Sequence, residues 1–189
     1  MDCEALIHKY YASNPQLERI LLCHSRQVAD KALRVAQAHP ELGADPVFLY
    51  EAAMLHDIGI FLCNAPGICC YGENEYVCHG YLGAELLRRE GLPRHAEVAQ
   101  RHTGTGITLE QIVRDNLPLP HRDFCPRTIE EQIICYADKF YSKSRLNRTK
   151  KLSSIRRSLS KFGQESVHKF NLWHLRFRTP RNNRHTETT

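Results

Sequence analysis

In the run AAMLHDIGI, a histidine and an aspartate, His56 and Asp57, stand side by side at the end of an otherwise apolar segment. Burying two such groups is costly unless something bonds and neutralises them, and a divalent cation does both. Four more residues of the same chemistry sit in or beside apolar stretches: His24 in LLCHSRQVA, His79 in VCHGYLGAELL, His102 in AQRHTG and Asp138 in IICYADKF. One histidine in such a place is ordinary packing. Four of them with two aspartates, spread over several apolar helices, point to metal. Neutral imidazoles with carboxylates favour borderline first-row cations (Fe or Mn first, then Zn, Co or Ni, with Mg also admissible) over Ca. Six donors exceed one four-coordinate site, so two ions are expected. His24, His56, Asp57 and Asp138 would hold one, and Asp57, His79 and His102 the other, with Asp57 bridging them or orienting the nucleophile. Two ions about 3.5–4 Å apart can share a water, lower its pKa and clamp a phosphoryl group.

The remaining histidines (His8, His39, His95, His121, His168, His174 and His185) lack that context and are read as surface or packing residues. Positive groups are needed against a phosphate. Lys139 beside Asp138, Arg101 beside His102 and Arg26 two places beyond His24 are the nearest in sequence, and all three are candidates for the catalytic clamp. Thr103, Gly104 and Gly106 could form a substrate loop, and residues 60–76 a lid.

The elements that must position these groups are helices. Leu17, Ile20, Leu21, Val28, Ala32, Val35 and Ala36 recur at three- and four-residue steps, the mark of an amphipathic helix, which His39-Pro40 and Gly43 end. Asp45-Pro46 opens a second helix as N-cap and first residue, and it runs to Leu55 before stopping at Ile58-Gly59. Residues 60–76 hold Pro, Gly and Asn and read as a loop. Helices are expected from about 78 to 90, closed by Gly91, and from Pro93 to about 101. Thr108 with Gln111 and Thr128 with Glu131 have capping-box spacing, the second opening a helix through Phe140 and Tyr141. A final helix over about 148–171 carries Leu152, Ile155, Leu159 and Phe162 on one face, and residues 178–189 read as a polar, disordered tail. No run alternates with period two. The expected fold is all-α, a helical bundle in one domain over 1–175 with its core at about 17–145.

Composition narrows the classes. The chain has 189 residues with 42% hydrophobic and 25% charged content, ordinary for one globular domain. It lacks the roughly 18-residue apolar run of a membrane helix, and its first residues lack the pattern of a secretory leader. A cytoplasmic location with no membrane partner is expected. Eight cysteines, none in CxxC spacing, do not make a zinc ribbon and read as reduced, mostly buried thiols. Charge is uneven: residues 1–138 hold 12 Lys and Arg against 19 Asp and Glu, while residues 139–189 hold 14 against 2. The basic segment is either a solvated helix face or a surface for a nucleic acid.

HDIG at 56–59, with His24 before it and Asp138 after it, resembles the HD superfamily of metal-dependent phosphohydrolases. His79 and His102 correspond to the extra ligands of its two-metal members. The segments HGYLGAELLRREGL, RHTGTGIT and TIEEQIICYADKF are similar, more narrowly, to the HDIG-domain family of archaeal and bacterial proteins. The resemblance spans about residues 17–145. It implies the HD helical fold and hydrolysis of a phosphomonoester or phosphoanhydride, such as a nucleotide or related small molecule, by a metal-activated water. A symmetrical dinucleoside tetraphosphate hydrolase is a close alternative, an HD-type di-iron oxygenase a second, and a nucleic-acid-binding or regulatory module using the basic C-terminal segment a third. Related cyclic-dinucleotide phosphodiesterases carry a lysine after the HDxG glycine and a GYP tripeptide. Here Ile60 follows Gly59 and no GYP occurs, which argues against that reaction.

Overall fold

A computed structural model describes residues 1–179, which form nine α-helices with short 3₁₀ turns and one small hairpin between them. The helices are α1 (Cys3–Tyr11), α2 (Pro15–Ala38), α3 (Pro46–Leu55), α4 (His79–Arg89), α5 (Pro93–Arg101), α6 (Leu109–Arg114), α7 (Ile129–Asp138), α8 (Leu152–Leu159) and α9 (Gln164–Phe177). The fold is the expected helical bundle.

Helix α3 is its centre. Phe48, Leu49 and every residue from Ala52 to Leu55 are buried, so it is apolar on nearly all sides and packs against α1, α2, α5 and α7. Asp45 caps it as its sequence predicts, accepting hydrogen bonds from the amides of Val47 and Phe48 at 3.0 and 3.1 Å. Along α2 the buried positions Leu17, Leu21, His24, Ser25, Val28, Ala32 and Val35 form one stripe. His24 therefore shares the face that packs on α3 and α7.

Between α3 and α4 the chain makes 3₁₀ turns and the antiparallel pair β1 (Asn64–Ala65) and β2 (Cys70–Tyr71), a small hairpin within the expected loop. Helix α5 packs on both α4 and α3. The approach of α4 to the HDIG turn is governed by Gly59 and Gly83. A Cβ on Gly59 would lie 2.3 Å from the carbonyl oxygen of His79 and 2.4 Å from the amide nitrogen of Gly83. Only glycine lets the two backbones meet there.

Three sequence expectations need correction. Helix α7 ends at Asp138, so Phe140 and Tyr141 lie beyond it, though both remain buried. The Thr128 hydroxyl accepts from the Glu131 amide, but the Glu131 carboxylate turns to Arg101 and to the Arg127 amide, so only half a capping box forms. The single helix expected over 148–171 is two, α8 and α9, separated by a 3₁₀ turn and by Gly163 at φ 102°. A residue with a side chain is strained at that angle, so the chain reverses there. Helix α9 runs to Phe177 and buries Phe170, Trp173 and Phe177. Of the tail, the Arg178 carbonyl lies 3.1 Å from the His39 ring, and residues 180–189 fall outside the described residues. Among the described residues no helix is long and apolar enough to cross a membrane. All eight cysteines are free thiols, and five are buried.

Candidate metal centre

Helix ends build the site. His56 and Asp57 directly follow α3, His102 directly follows α5, Asp138 is the last residue of α7, and His79 is the first of α4; His24 alone sits mid-helix. The last carbonyls of a helix have no intrahelical partner. Here the histidines supply one: His56 Nδ1 lies 2.6 Å from the Ala53 carbonyl oxygen and His102 Nδ1 2.7 Å from that of Ala99. His79 Nδ1 reaches the Tyr76 carbonyl of the preceding turn at 2.5 Å. A carbonyl only accepts, so each Nδ1 carries a proton and each Nε2 points to the centre, where it can offer a lone pair to a cation when the ring is neutral.

What those lone pairs meet tests the fit to a cation. His79 Nε2 and His102 Nε2 are 3.1 Å apart, two acceptors facing each other. Both stand 3.3 Å from Asp57 Oδ1. On the other side, His24 Nε2 lies 3.1 Å from Asp57 Oδ2 and 3.0 Å from Asp138 Oδ1, and His56 Nε2 lies 3.0 Å from Asp57 Oδ2. His24 Nε2, His56 Nε2 and both Asp57 oxygens are buried, yet none makes a well-aligned hydrogen bond. Such atoms cost about 1–3 kcal/mol each if nothing bonds them. The donors form two groups, His24–His56–Asp57–Asp138 and Asp57–His79–His102, each with its atoms within 4.8 Å of one another. These are the two sets expected from the sequence, and the residues fit one or two divalent cations.

The charges agree. Burial alone would raise the carboxyl pKa of Asp57, but His56, Lys143 and the bonding imidazoles outweigh it and hold the carboxyl well below the usual range. Asp138 is likewise held low, against burial, by Lys139, His24 and His56. Burial and the neighbouring His56 and His79 push His102 down to about 4, so it is neutral at physiological pH and able to accept a cation.

The cationic candidates divide. Lys139 Nζ lies 2.7 Å from Asp138 Oδ2 and 3.3 Å from the His102 carbonyl oxygen, at the centre's edge. Arg101 is instead paired with Glu97 and, at 2.9 Å, with the buried Glu131. Arg26 is on the surface, 2.6 Å from Glu4. The structure brings neither arginine to the cluster: residues next to a ligand on a helix point roughly 100° away. The cation that sequence adjacency missed is Lys143, whose Nζ is 2.5 Å from Asp57 Oδ2 and whose ammonium also faces the Tyr76 ring at 5.8 Å. It comes from the irregular segment after α7, where no periodicity marks its direction.

Two cavities border the centre. One, of about 420 Å³, takes in His24, Asp138, Lys139, Lys143 and Lys150, with Ala65, Gly67 and Ile68 of the expected lid as part of its wall. The other, of about 520 Å³, takes in His79 and the Thr103–Ile107 turn. That turn is fixed by Gly104 and Gly106 at positive φ and by the Cys135 thiol, whose Sγ lies 3.2 Å from the His102 carbonyl oxygen and 3.4 Å from that of Gly104. Among the other histidines, His95 lies 3.3 Å from Glu51 and His174 bonds Tyr136 at 2.9 Å, both packing roles.

Comparisons with known proteins agree with this architecture. The chain is 32% identical over 141 residues to a tRNA (cytidine(56)-2'-O)-methyltransferase of Thermoplasma volcanium, covering 74% of this chain and 36% of that protein. It is 31% identical over 150 residues to the protein of the same name from Picrophilus torridus, covering 79% and 38%. It thus spans little more than a third of the length of these two relatives. An uncharacterized protein of Methanocaldococcus jannaschii is 34% identical over 118 residues, 61% of this chain and 62% of that one. Among solved structures, the HD domain of the L. monocytogenes phosphodiesterase PgpH superposes with a TM-score of 0.54 at 18% identity, over 91% of this chain and 94% of that one. The same domain in complex with cyclic-di-AMP gives 0.55 at 17%, over 92% and 93%. At these identities the likeness is one of fold. The HD domain family model matches residues 21–142, a span that holds all six donors, and the chain belongs to the HD domain family.

Proposed function

We propose that the protein is a metal-dependent phosphohydrolase that cleaves a phosphoester or phosphoanhydride of a nucleotide or related small molecule. The observation that carries this reading is the buried pair of donor groups sharing Asp57, bordered by lysines. One or two divalent first-row transition ions, which mixed imidazole and carboxylate donors suit, would be held by His24, His56, Asp57 and Asp138 and by Asp57, His79 and His102. Bound there, they supply Lewis-acid activation of water and neutralise charge on phosphoryl oxygens.

The chain's own residues do the rest. In hydrolysis a water oxygen bonds to phosphorus, the bond from phosphorus to the leaving oxygen breaks, and that oxygen ends with a proton. Asp57 is too weak a base to take the water's proton unaided, because its carboxyl is held so low. Its role is to fix the geometry between the two histidine sets. Burial opposes the charge on Lys139 and Lys143, but Asp138 and Asp57 outweigh it and raise both ammonium groups. Both stay protonated at neutral pH and serve as positive charge towards phosphoryl oxygens, not as bases.

The test is elemental analysis of wild type and Asp57→Ala, followed by phosphate release from a panel of esters, nucleotides and dinucleotides with and without oxygen. The expected result is one to two transition ions per chain, lost in the variant, with phosphate release independent of oxygen. An oxygen requirement would move the chain to the di-iron oxygenases, and absence of metal under every loading condition would overturn the catalytic reading. A second reading is favoured by the names of the two methyltransferase relatives: the phosphate would then belong to an RNA held along the basic C-terminal helices. Preference for an oligoribonucleotide over a mononucleotide in the same assay would select it.

A further inference from the structure

Three lysines line the polar cavity, and two of them are spoken for: Lys139 by Asp138 and Lys143 by Asp57. Lys150, in the same wall, has no acidic partner within ion-pair distance among the described residues, and its amide is fixed 2.7 Å from the Phe140 carbonyl oxygen. Three cations around one cavity with only two carboxylates answering them favour an anion in it. The second cavity is sorted the other way. It is walled by Val77, Ile107, Leu117 and Phe162, it carries Glu75 and Asp115, and no lysine or arginine lines it. Carboxylates there would repel a phosphate, while the apolar walls suit a ring.

The two cavities share a border made by Tyr76, Gly104 and Phe162. Phe162 is 57% exposed. A lone exposed phenylalanine is unremarkable on a surface, but this one is placed. Its carbonyl oxygen accepts from Gln111 Nε2 at 3.3 Å and from the Ser166 hydroxyl at 3.4 Å, which ties the α8–α9 reversal to α6. Ile155, Leu159, Phe170 and Trp173 anchor the two helices in the core on either side of it. Lys150 and Phe162 both lie beyond residue 142, where the match to the HD domain ends.

We propose that these two residues determine specificity at the same site: Phe162 seats the base of a nucleotide in the apolar cavity, and Lys150 holds a phosphate beyond the scissile one in the cationic cavity. This rests on the phosphohydrolase reading for the position of the scissile group between the cavities. It selects substrates with at least two phosphates and a base, an anhydride or a dinucleotide, over a simple monoester.

The test is equilibrium binding to the full-length, metal-loaded protein by calorimetry, using α,β-methylene-ADP and its base-free counterpart methylenediphosphonate. Phe162→Ala should weaken the nucleotide analogue by about 5- to 150-fold, the range for losing one base–aromatic stack, and leave methylenediphosphonate within about twofold. Phe162→Trp should keep the nucleotide affinity. Lys150→Met should weaken both probes by about tenfold or more, as for a lost charge-assisted hydrogen bond, with metal content unchanged. Both residues are exposed, so melting temperatures of the variants should match wild type. Equal loss of both probes in Phe162→Ala, no loss of either, or no binding of the nucleotide analogue by wild type would overturn the proposal. If the affinities follow the expected pattern but no ester is hydrolysed, the phosphohydrolase reading fails and the two seats stand.

Discussion

Asp57 meets four histidines through two oxygens and has Lys143 as its nearest positive charge, which makes that lysine more than a bystander. Removing the partner of a buried carboxylate costs about 3–5 kcal/mol, because the charge is left uncompensated. A bound cation would supply the same compensation. The consequence is a coupling between lysine and metal: Lys143→Met should lower the melting temperature of chelator-treated protein by about 10 °C, at roughly 2–4 °C per kcal/mol for this size, and change the loaded protein much less. Thermal melts of both forms decide it; an equal drop in the two would show that Lys143 acts on packing alone. The six donors were legible in the sequence because histidine and aspartate are rarely left in apolar helical faces without a partner. Lys143 was not, since an irregular segment gives no rule for where its side chains point. Arg26 and Arg101 were misplaced for the opposite reason. They lie on regular helices, and the rule of about 100° per residue turns them towards Glu4, Glu97 and Glu131 instead of the centre.

The HDIG turn and the N-terminal half of α4 touch backbone to backbone, which fixes His56 and Asp57 relative to His79. Gly59→Ala would place a methyl group 2.3 Å from the His79 carbonyl oxygen, and neither partner is a flexible side chain that can move aside. Helix α4 must shift, and His79 with it. We expect a loss of about 1–3 kcal/mol, the usual cost of overpacking, and a drop in metal stoichiometry from two ions towards one with the His24–Asp138 set retained. Gly83→Ala, whose Cβ would meet the Gly59 amide nitrogen at 3.0 Å, should be milder. Chemical denaturation and metal analysis of both variants separate the cases, and unchanged stoichiometry in Gly59→Ala would exclude this coupling. Local chemistry announced most elements: Asp45-Pro46 for α3, the complete Thr108–Gln111 box for α6, Gly91 after α4. It did not announce the break at Gly163. Leu152, Ile155 and Leu159 keep helical spacing up to Phe162, and the pattern alone cannot tell that the first three face the core or its edge while Phe162 faces outward.

At the scale of the molecule, the question is whether the basic C-terminal segment is an appendage or part of the fold. Its charge made it resemble a separable surface for polyanions. Its apolar residues say otherwise: Phe170 and Phe177 pack with Tyr136 of α7, at ring separations of 5.7 and 5.6 Å, and Trp173 is 6% exposed. Truncating one such phenylalanine to alanine costs about 3–5 kcal/mol, a large share of the 5–15 kcal/mol that holds a typical domain folded. Asp138 closes the same helix that carries Tyr136, so the packing of α9 and the position of a candidate metal donor are mechanically linked. The protein should therefore unfold as one unit. Trp173 is the only tryptophan in the chain and sits in this last helix, so its fluorescence reports the segment in question. Its thermal transition should coincide with loss of helical circular dichroism, and a metal at about a hundred times its dissociation constant should move both together, by roughly 5–10 °C for about 2.7 kcal/mol of linkage. A tryptophan transition that comes earlier than the helical one, or one that ignores the metal, would make α8 and α9 a separable module and return the basic segment to a role of its own.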